Sequence, residues 1–208
     1  MAGTIFWDVD TQYDFMIPDG KLYITGAEQI LSNLGRLTRH ARQQNIPIFG
    51  SVDNHTPSDP ELSDTPNFQD TFPPHCLQGT PGQEKVPGTR PKNPLWIPPD
   101  PIDPDTLAGK VRNHTGEIFF QKQQFDVFTN PNVDPVLQAV HPDRIVLYGV
   151  ALDVCNAYAI SGFLERETAP IQLVLDATQA IVPERGEALV RNWQSQGVEI
   201  IETAKIIN

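Results

Sequence analysis

Apolar, strand-like segments and amphipathic, helix-like segments alternate along this 208-residue chain. The pattern predicts strands at residues 4–9, 46–52, 117–121, 144–150, 171–175 and 198–202, and helices at 27–44, 134–140, 155–167 and 183–196. Such alternation is typical of an α/β fold, in which a mostly parallel sheet carries helices on both faces. We therefore expect one Rossmann-like, three-layer domain over residues 1–208, with a sheet of about six strands.

Charge and cysteine content limit the classes of partner and compartment. A formal net charge of −11 without a basic patch argues against nucleic acid and membrane surfaces as partners. No apolar stretch approaches the ~20 residues that a membrane helix needs, and no signal peptide precedes the first predicted strand. Two cysteines are too few for a secreted disulfide framework. We expect a cytoplasmic protein, and the sequence leaves assembly into a homo-oligomer open.

Residues 56–104 differ from the rest of the chain, because they hold 13 of its 20 prolines and show little periodicity. A loop of this length inside a compact domain is usually functional or disordered. The segment carries Phe68, Phe72 and Trp96, and aromatic residues are scarce in disordered segments. We therefore predict an ordered excursion over residues 56–110 that covers the functional site, with disorder as the alternative.

Chemically competent side chains follow the carboxyl ends of four predicted strands: Asp8 and Asp10, Asp53 and His55, Lys122, and Cys155. In sheets of this type ligands bind beyond the carboxyl ends of the strands. We therefore expect these side chains to converge on one site.

Cys155 is predicted to begin a helix, directly after a strand and a short turn. The unpaired N–H groups and the positive dipole end of a helix N-terminus favour the thiolate, which is the nucleophilic form of cysteine. The position therefore indicates a catalytic cysteine, and the alternative is an inert buried side chain. Thiol attack also needs a base, and no histidine is close to Cys155 in sequence. Asp10 as base, with Lys122 as its charged partner, is favoured over a cysteine–histidine pair.

Asp53, His55 and His75 form a candidate metal site. Residues two apart in extended chain project to the same side, so Asp53 and His55 offer two ligands together. A set of two histidines and one carboxylate suits Zn, Fe or Mn with open positions. Glu61 is a candidate fourth ligand, while Cys76 is either a ligand or a core residue, and we favour the core.

Four segments of the sequence carry a resemblance to a known family. They are residues 6–15, which end in D-T-Q-Y-D-F; residues 53–55 with the F-P-P-H-C-L-Q-G-T-P-G run at 72–82; Lys122 with F-D-V-F at 125–128; and G-V-A-L-D-V-C at 149–155. Together and in this order they resemble the isochorismatase-like cysteine hydrolases, and within that superfamily the nicotinamidases.

The resemblance implies a role for each residue of the reaction centre. Cys155 would be the nucleophile, Asp10 the general base and then acid, and Lys122 their charged partner. A cis peptide bond between Val150 and Ala151 would aim the N–H groups of Ala151 and Cys155 at the developing oxyanion.

The resemblance also implies one divalent metal ion and no organic cofactor. Asp53, His55 and His75 would hold the ion, whose open position would bind the pyridine nitrogen of the substrate. Isochorismatases, which lack these ligands, are less similar to this chain. The side chains expected to line the substrate pocket are Phe15, Trp96 and Val150.

Some positions depart from the family pattern. Leu152 stands where threonine is usual, Glu61 lies near where some members place another histidine, and Asp8 adds an acid close to Asp10. The proline-rich stretch at 86–107 is longer than in typical members. These departures leave the chemistry intact and bear on the substrate.

The expected activity is hydrolysis of nicotinamide to nicotinate and ammonia through a cysteine thioester. One alternative is hydrolysis of another small amide or ureide on the same scaffold. A second alternative is a non-enzymatic module whose cysteine senses oxidants.

Overall fold

The computed structural model describes residues 3–207, and over that range it contains one seven-stranded sheet. The strands are β1 (Thr4–Val9), β2 (Ile48–Asp53), β3 (Leu95–Ile97), β4 (Ile118–Lys122), β5 (Arg144–Val150), β6 (Ile171–Gln179) and β7 (Glu199–Ile201). Their order across the sheet is β3-β4-β2-β1-β5-β6-β7, and all neighbours are parallel. The predicted α/β class with a mostly parallel sheet is confirmed.

Helices cover both faces of this sheet. They are α1 (Tyr13–Met16), α2 (Leu31–Gln44), α3 (Pro104–Asn113), α4 (Val133–Val140), α5 (Cys155–Glu165), α6 (Pro183–Ser195) and α7 (Thr203–Ile207). Side chains of α3, α4, α5 and α6 pack on one face around Trp7, and those of α1, α2 and α7 pack on the other around Phe6. Because the central strands β1 and β5 are covered on both faces, they are almost continuously apolar. None of the helices in the described range is long and apolar enough to cross a membrane.

The seventh strand, β3, and the helix α3 were not predicted, because β3 lies in the proline-rich segment and α3 begins where that segment ends. β3 has three residues, and Pro94 and Pro98 flank it. It pairs only with β4 at the edge of the sheet, where neighbouring prolines remove few ladder hydrogen bonds. Within the predicted excursion over 56–110, Glu61, Phe72 and His75 of the first half line the cavity beside Cys155, whereas the second half forms β3 and most of α3.

A buried ion pair joins Asp8 of β1 to Lys85, which lies in the loop that precedes β3. Asp8 Oδ2 lies 3.2 Å from Lys85 Nζ, and both side chains are almost completely buried. Thr11 donates from Oγ1 to Asp8 Oδ1 at 2.9 Å, and the Lys85 ammonium lies 4.7 Å from the centre of the Phe119 ring. Asp8, the extra acid of the sequence, thus has its charge partner on the α2 side of the sheet.

This pair makes a stability prediction. Lys85→Met leaves the Asp8 carboxylate buried without a counter-charge, so we expect the free energy of unfolding to fall by about 3–5 kcal/mol. Urea unfolding measures it. Arg90→Met is the matched control, because the Arg90–Glu84 pair is largely exposed and such pairs contribute little. Equal losses in the two variants would contradict the assignment.

Candidate active site

The candidate catalytic side chains lie at the carboxyl ends of four strands, where the sequence placed them. β4, β2, β1 and β5 are consecutive in the sheet, so Lys122, Asp53, Asp10 and the turn before Cys155 are neighbours in space. Asp10 follows β1 with a positive φ of 46°, which turns its backbone away from the strand direction. The parallel register therefore brings residues that are far apart in sequence to one edge of the sheet.

The Lys122 ammonium is the centre of this cluster. Its Nζ lies 2.9 Å from Asp10 Oδ2 and 3.7 Å from Cys155 Sγ, and it also donates to Asp53 Oδ1. Lys122 is 1% exposed. A buried ammonium needs charge partners, and here two carboxylates supply them. The structure thus brings Asp10, Lys122 and Cys155 together as expected for the predicted reaction centre.

The two carboxylates beside Lys122 have pKa values shifted in opposite directions. Burial raises the pKa of Asp10, and the Lys122 ammonium only partly opposes this. Burial would also raise the pKa of Asp53, but Lys122 and the neighbouring histidines hold that pKa well below its usual range. The pKa of Lys122 is raised, because both carboxylates outweigh its own desolvation. Asp53 is therefore the permanent anion, and Asp10 is the group suited to exchange a proton.

Cys155 begins α5, as predicted, but the expectation of a favoured thiolate is wrong. Burial raises the pKa of the Cys155 thiol well above its usual range, and the opposing effect of Lys122 is smaller. The nearby Asp10 and Asp53 carboxylates raise this pKa further. Cys155 therefore rests as a neutral thiol, and its use as a nucleophile requires a base at the site.

The turn between β5 and α5 presents two unused N–H groups. The Val150–Ala151 peptide bond is cis, as the family resemblance implies. Leu152 N–H donates to the Gln179 carbonyl, while Val154 and Asn156 N–H both donate to the Ala151 carbonyl. In residues 3–207, by contrast, the N–H groups of Ala151 and Cys155 have no acceptor. Their freedom fits the predicted oxyanion hole.

The predicted metal ligands form one buried cluster, which includes the candidate fourth ligand Glu61. One potential ligand atom from each of Asp53, His55, Glu61 and His75 lies within 4.8 Å of all the others. His75 Nε2 is 3.5 Å from Asp53 Oδ2 and 3.8 Å from Glu61 Oε1, and His55 Nε2 is 3.8 Å from Asp53 Oδ2. Burial and the charge of Asp53 raise the pKa of Glu61 to about 7.

The surroundings of the two histidines fit a divalent cation. His55 Nδ1 is 3.2 Å from Asp59 Oδ2, and His75 Nδ1 is 2.8 Å from the Pro73 carbonyl oxygen. These partners leave both Nε2 atoms facing the cluster, as outer partners of metal-binding histidines do. His55 Nε2 is buried and has no hydrogen-bond partner in the part of the chain that the structure describes. The donor set suits Zn, Fe or Mn.

A small cavity of about 40 Å³ opens beside these groups. Its polar lining comes from Asp53, Glu61, His75 and Cys155. The remaining wall is apolar and consists of Phe15, Leu22, Ile24, Phe72, Phe125, Val150, Ala151, Val154 and Ile181. Phe15 and Val150 line the cavity as predicted. Phe72 and Phe125 also line it but were not predicted to, although they begin the F-P-P-H-C and F-D-V-F segments that carry the family resemblance.

Trp96 does not line this cavity, and its predicted place in the substrate pocket is wrong. It belongs to the edge strand β3, is 41% exposed, and packs against Phe119 with the ring centres 5.5 Å apart. It lines a different surface cleft, together with Lys85 and Arg90. The reason is topological, because β3 pairs with β4 at the sheet edge and lies away from Cys155.

Sequence comparison agrees with this geometry. The isochorismatase domain model matches residues 5–97 and 92–205. The nicotinamidase/pyrazinamidase of Mycobacterium tuberculosis is 30% identical over 196 residues, which cover 93% of this chain and 95% of the relative. A probable inactive nicotinamidase of Arabidopsis thaliana is 24% identical over 92% of this chain and 88% of its own. The chain belongs to the isochorismatase family and is a hydrolase of that family.

Solved structures share the fold over nearly the whole chain. The Streptococcus mutans pyrazinamidase/nicotinamidase has a TM-score of 0.74 at 22% identity, covering 95% of this chain and 99% of its own. The zinc complex of Pyrococcus horikoshii pyrazinamidase gives 0.73 at 20%, covering 96% and 98%. Thermoplasma acidophilum N-carbamoylsarcosine amidase gives 0.70 at 22%, covering 98% and 97%. At these identities the likeness shows that the fold is shared.

The carboxylate behind His55 provides a test of the metal cluster. Asp59→Asn removes the charge that orients His55 through Nδ1, so we expect zinc affinity to fall about 10–100-fold. Competition against a chelating dye, starting from metal-free protein, measures this affinity. Asp64→Asn is the control, because Asp64 is an exposed acid of the same loop. Unchanged zinc binding in Asp59→Asn, or the same loss in both variants, would contradict the cluster's role.

Proposed function

We propose that this hydrolase cleaves the carboxamide of nicotinamide or a close heteroaromatic amide, giving the carboxylate and ammonia through a thioester on Cys155. The observation that carries the proposal is the position of Cys155. Its thiol lies beside Lys122 and Asp10, and it lines the same apolar cavity as His75 and Glu61. One end of the cavity therefore offers a nucleophile, and a candidate metal site lies within reach of the same small ligand.

The wall of the cavity favours a flat, uncharged ring. Phe15, Phe72 and Phe125 offer aromatic surface for packing against such a ring. A divalent ion held by Asp53, His55, Glu61 and His75 would supply a Lewis-acid position for a ring nitrogen. The chain's own side chains thus enclose the ring and turn its carboxamide towards Cys155.

In the first half of the reaction, Asp10 takes the thiol proton of Cys155 while the sulfur attacks the carboxamide carbon. The raised pKa of Asp10 suits it to accept and hold this proton. The N–H groups of Ala151 and Cys155 donate to the oxygen as negative charge develops on it. Lys122 stays protonated and stabilises the developing thiolate through its contact with Sγ.

In the second half, the proton held by Asp10 passes to the amide nitrogen, the carbon–nitrogen bond breaks, and ammonia leaves. A thioester between the acyl group and Cys155 remains. Asp10, now ionised again, takes a proton from an entering water molecule, whose oxygen attacks the thioester carbon. The carbon–sulfur bond then breaks, and the proton returns from Asp10 to the sulfur.

The charge of the cavity supports a neutral amide over a carboxylate-bearing ureide. Among the described residues that line it, none is a lysine or an arginine, whereas Asp53 and Glu61 are acids. Away from the bound cation, the apolar wall of the cavity offers a substrate carboxylate no basic side chain as a counter-charge, which is costly away from water. The oxidant-sensing alternative is also less favoured, because sensor cysteines are exposed and have low pKa values, while Cys155 is buried with a raised pKa.

Ammonia release from a panel of amides tests the proposal. With purified metal-loaded protein, we expect kcat/KM for nicotinamide to exceed that for N-carbamoylsarcosine by about 100-fold or more, because only the latter carries a carboxylate. Benzamide, which lacks the ring nitrogen, should be poorer than nicotinamide. Preference for the carboxylate-bearing ureide would overturn the substrate assignment.

Two cysteine variants show whether the measured activity belongs to this site. Cys155→Ala should lower kcat for nicotinamide by about 10³-fold or more, since the nucleophile is removed. Cys76→Ala is the control, because Cys76 is buried beside His75 but its sulfur faces the Gly82 carbonyl instead of the cavity. Retained turnover in Cys155→Ala would rule out the proposed mechanism.

A further inference from the structure

Gln12 occupies the point at which β1 leaves the sheet. The β1–β2 ladder extends as far as the Asp10 N–H, which donates to the Ser51 carbonyl at 3.2 Å. The chain then turns at Asp10, and the Gln12 N–H donates back to the Asp10 carbonyl at 2.7 Å. In an uninterrupted parallel ladder, the Asp10 carbonyl and the Gln12 N–H would instead pair with Asp53. The turn therefore removes both backbone partners that β1 would have offered to Asp53.

The side-chain amide of Gln12 replaces these two backbone groups. Asp53 N–H donates to Gln12 Oε1 at 2.7 Å, and Gln12 Nε2 donates to the Asp53 carbonyl at 2.8 Å. Gln12 Nε2 also donates to the Gln83 carbonyl at 2.9 Å. Because Gln12 is completely buried, water does not compete for these bonds. A side chain thus continues the ladder after the main chain of β1 has turned away.

This replacement matters because Asp53 belongs to both halves of the site. On its other side it is in register with Lys122 of β4, and the Asn54 N–H donates to the Lys122 carbonyl at 2.9 Å. The Asp53 carboxylate contacts Lys122 through Oδ1 and faces His55 and His75 through Oδ2. Movement of the Asp53 backbone would change both sets of contacts.

We propose that Gln12 is a positioning residue, which fixes the Asp53 backbone so that Asp10 can turn towards Lys122 while Asp53 keeps its place among the metal ligands. The inference rests on the metal cluster of the proposed function. It does not require that nicotinamide is the substrate.

Zinc affinity tests the proposal without any measurement of amide turnover. Gln12→Met keeps a side chain of similar length but removes both its donor and its acceptor. We expect zinc to bind about tenfold or more weakly to this variant, as is typical when an outer partner of a metal site is lost. The affinity is measured on metal-free protein by competition with a chelating dye. Since catalysis is not involved, failure here is distinct from failure of the amide assay.

Thr11→Val is the matched control, because it removes buried hydrogen bonds from the same turn without touching Asp53. Thr11 Oγ1 lies 2.9 Å from Asp8 Oδ1 and 2.7 Å from Thr89 Oγ1. This variant should be destabilised but should bind zinc with wild-type affinity per folded molecule. Wild-type affinity in Gln12→Met, or an equal loss in Thr11→Val, would overturn the proposal.

A second variant keeps the test decisive if Gln12→Met does not fold. Gln12→Asn retains the amide but is one methylene too short to reach both backbone groups of Asp53. It should show the same weakened zinc binding, expressed per folded molecule by following thermal unfolding in parallel. If every Gln12 variant loses zinc binding only in proportion to the folded protein lost, Gln12 has a merely structural role and the proposal is wrong.

Discussion

The ion cluster around the Lys122 ammonium is the interaction on which the rest of the site depends. A charged group this deeply buried is stable only with charge partners close by, and Asp53 at the end of β2 and Asp10 just after β1 supply them. Cys155 completes the surroundings from the far side of β1. The parallel order of the strands, the turn at Asp10 and the start of α5 are all needed for this one cluster to form.

Burial of this cluster determines which of its groups stays charged and which groups exchange a proton. Because Asp53 is held ionised by Lys122 and the histidines, it can serve as a constant negative charge for a bound cation. Burial raises the pKa values of Asp10 and Cys155, so the proton moves between two groups that are both readily protonated. A base-assisted thiol therefore fits this site better than a standing thiolate, which a helix N-terminus alone would favour.

Much of this arrangement could be predicted from the sequence, because hydrophobic periodicity locates strands and the ends of parallel strands must converge. Periodicity does not reveal a three-residue strand flanked by prolines, so β3 was not predicted and Trp96, which belongs to it, was wrongly assigned to the substrate pocket. The pKa of Cys155 depends on burial, which local sequence does not report. The role inferred for Gln12 depends on the exact point at which β1 turns, and periodicity does not resolve that point.

We propose that Cys155 carries the acyl group during turnover, with Asp10 as base and Lys122 as its charged partner. Acid quenching during steady-state hydrolysis of nicotinamide, followed by mass spectrometry of the peptides, tests it most directly. We expect a nicotinoyl adduct on the peptide that contains Cys155, and this adduct should disappear when the substrate is exhausted. Steady turnover with no adduct under conditions where acylation outpaces hydrolysis, or an adduct on Cys76 instead, would contradict it.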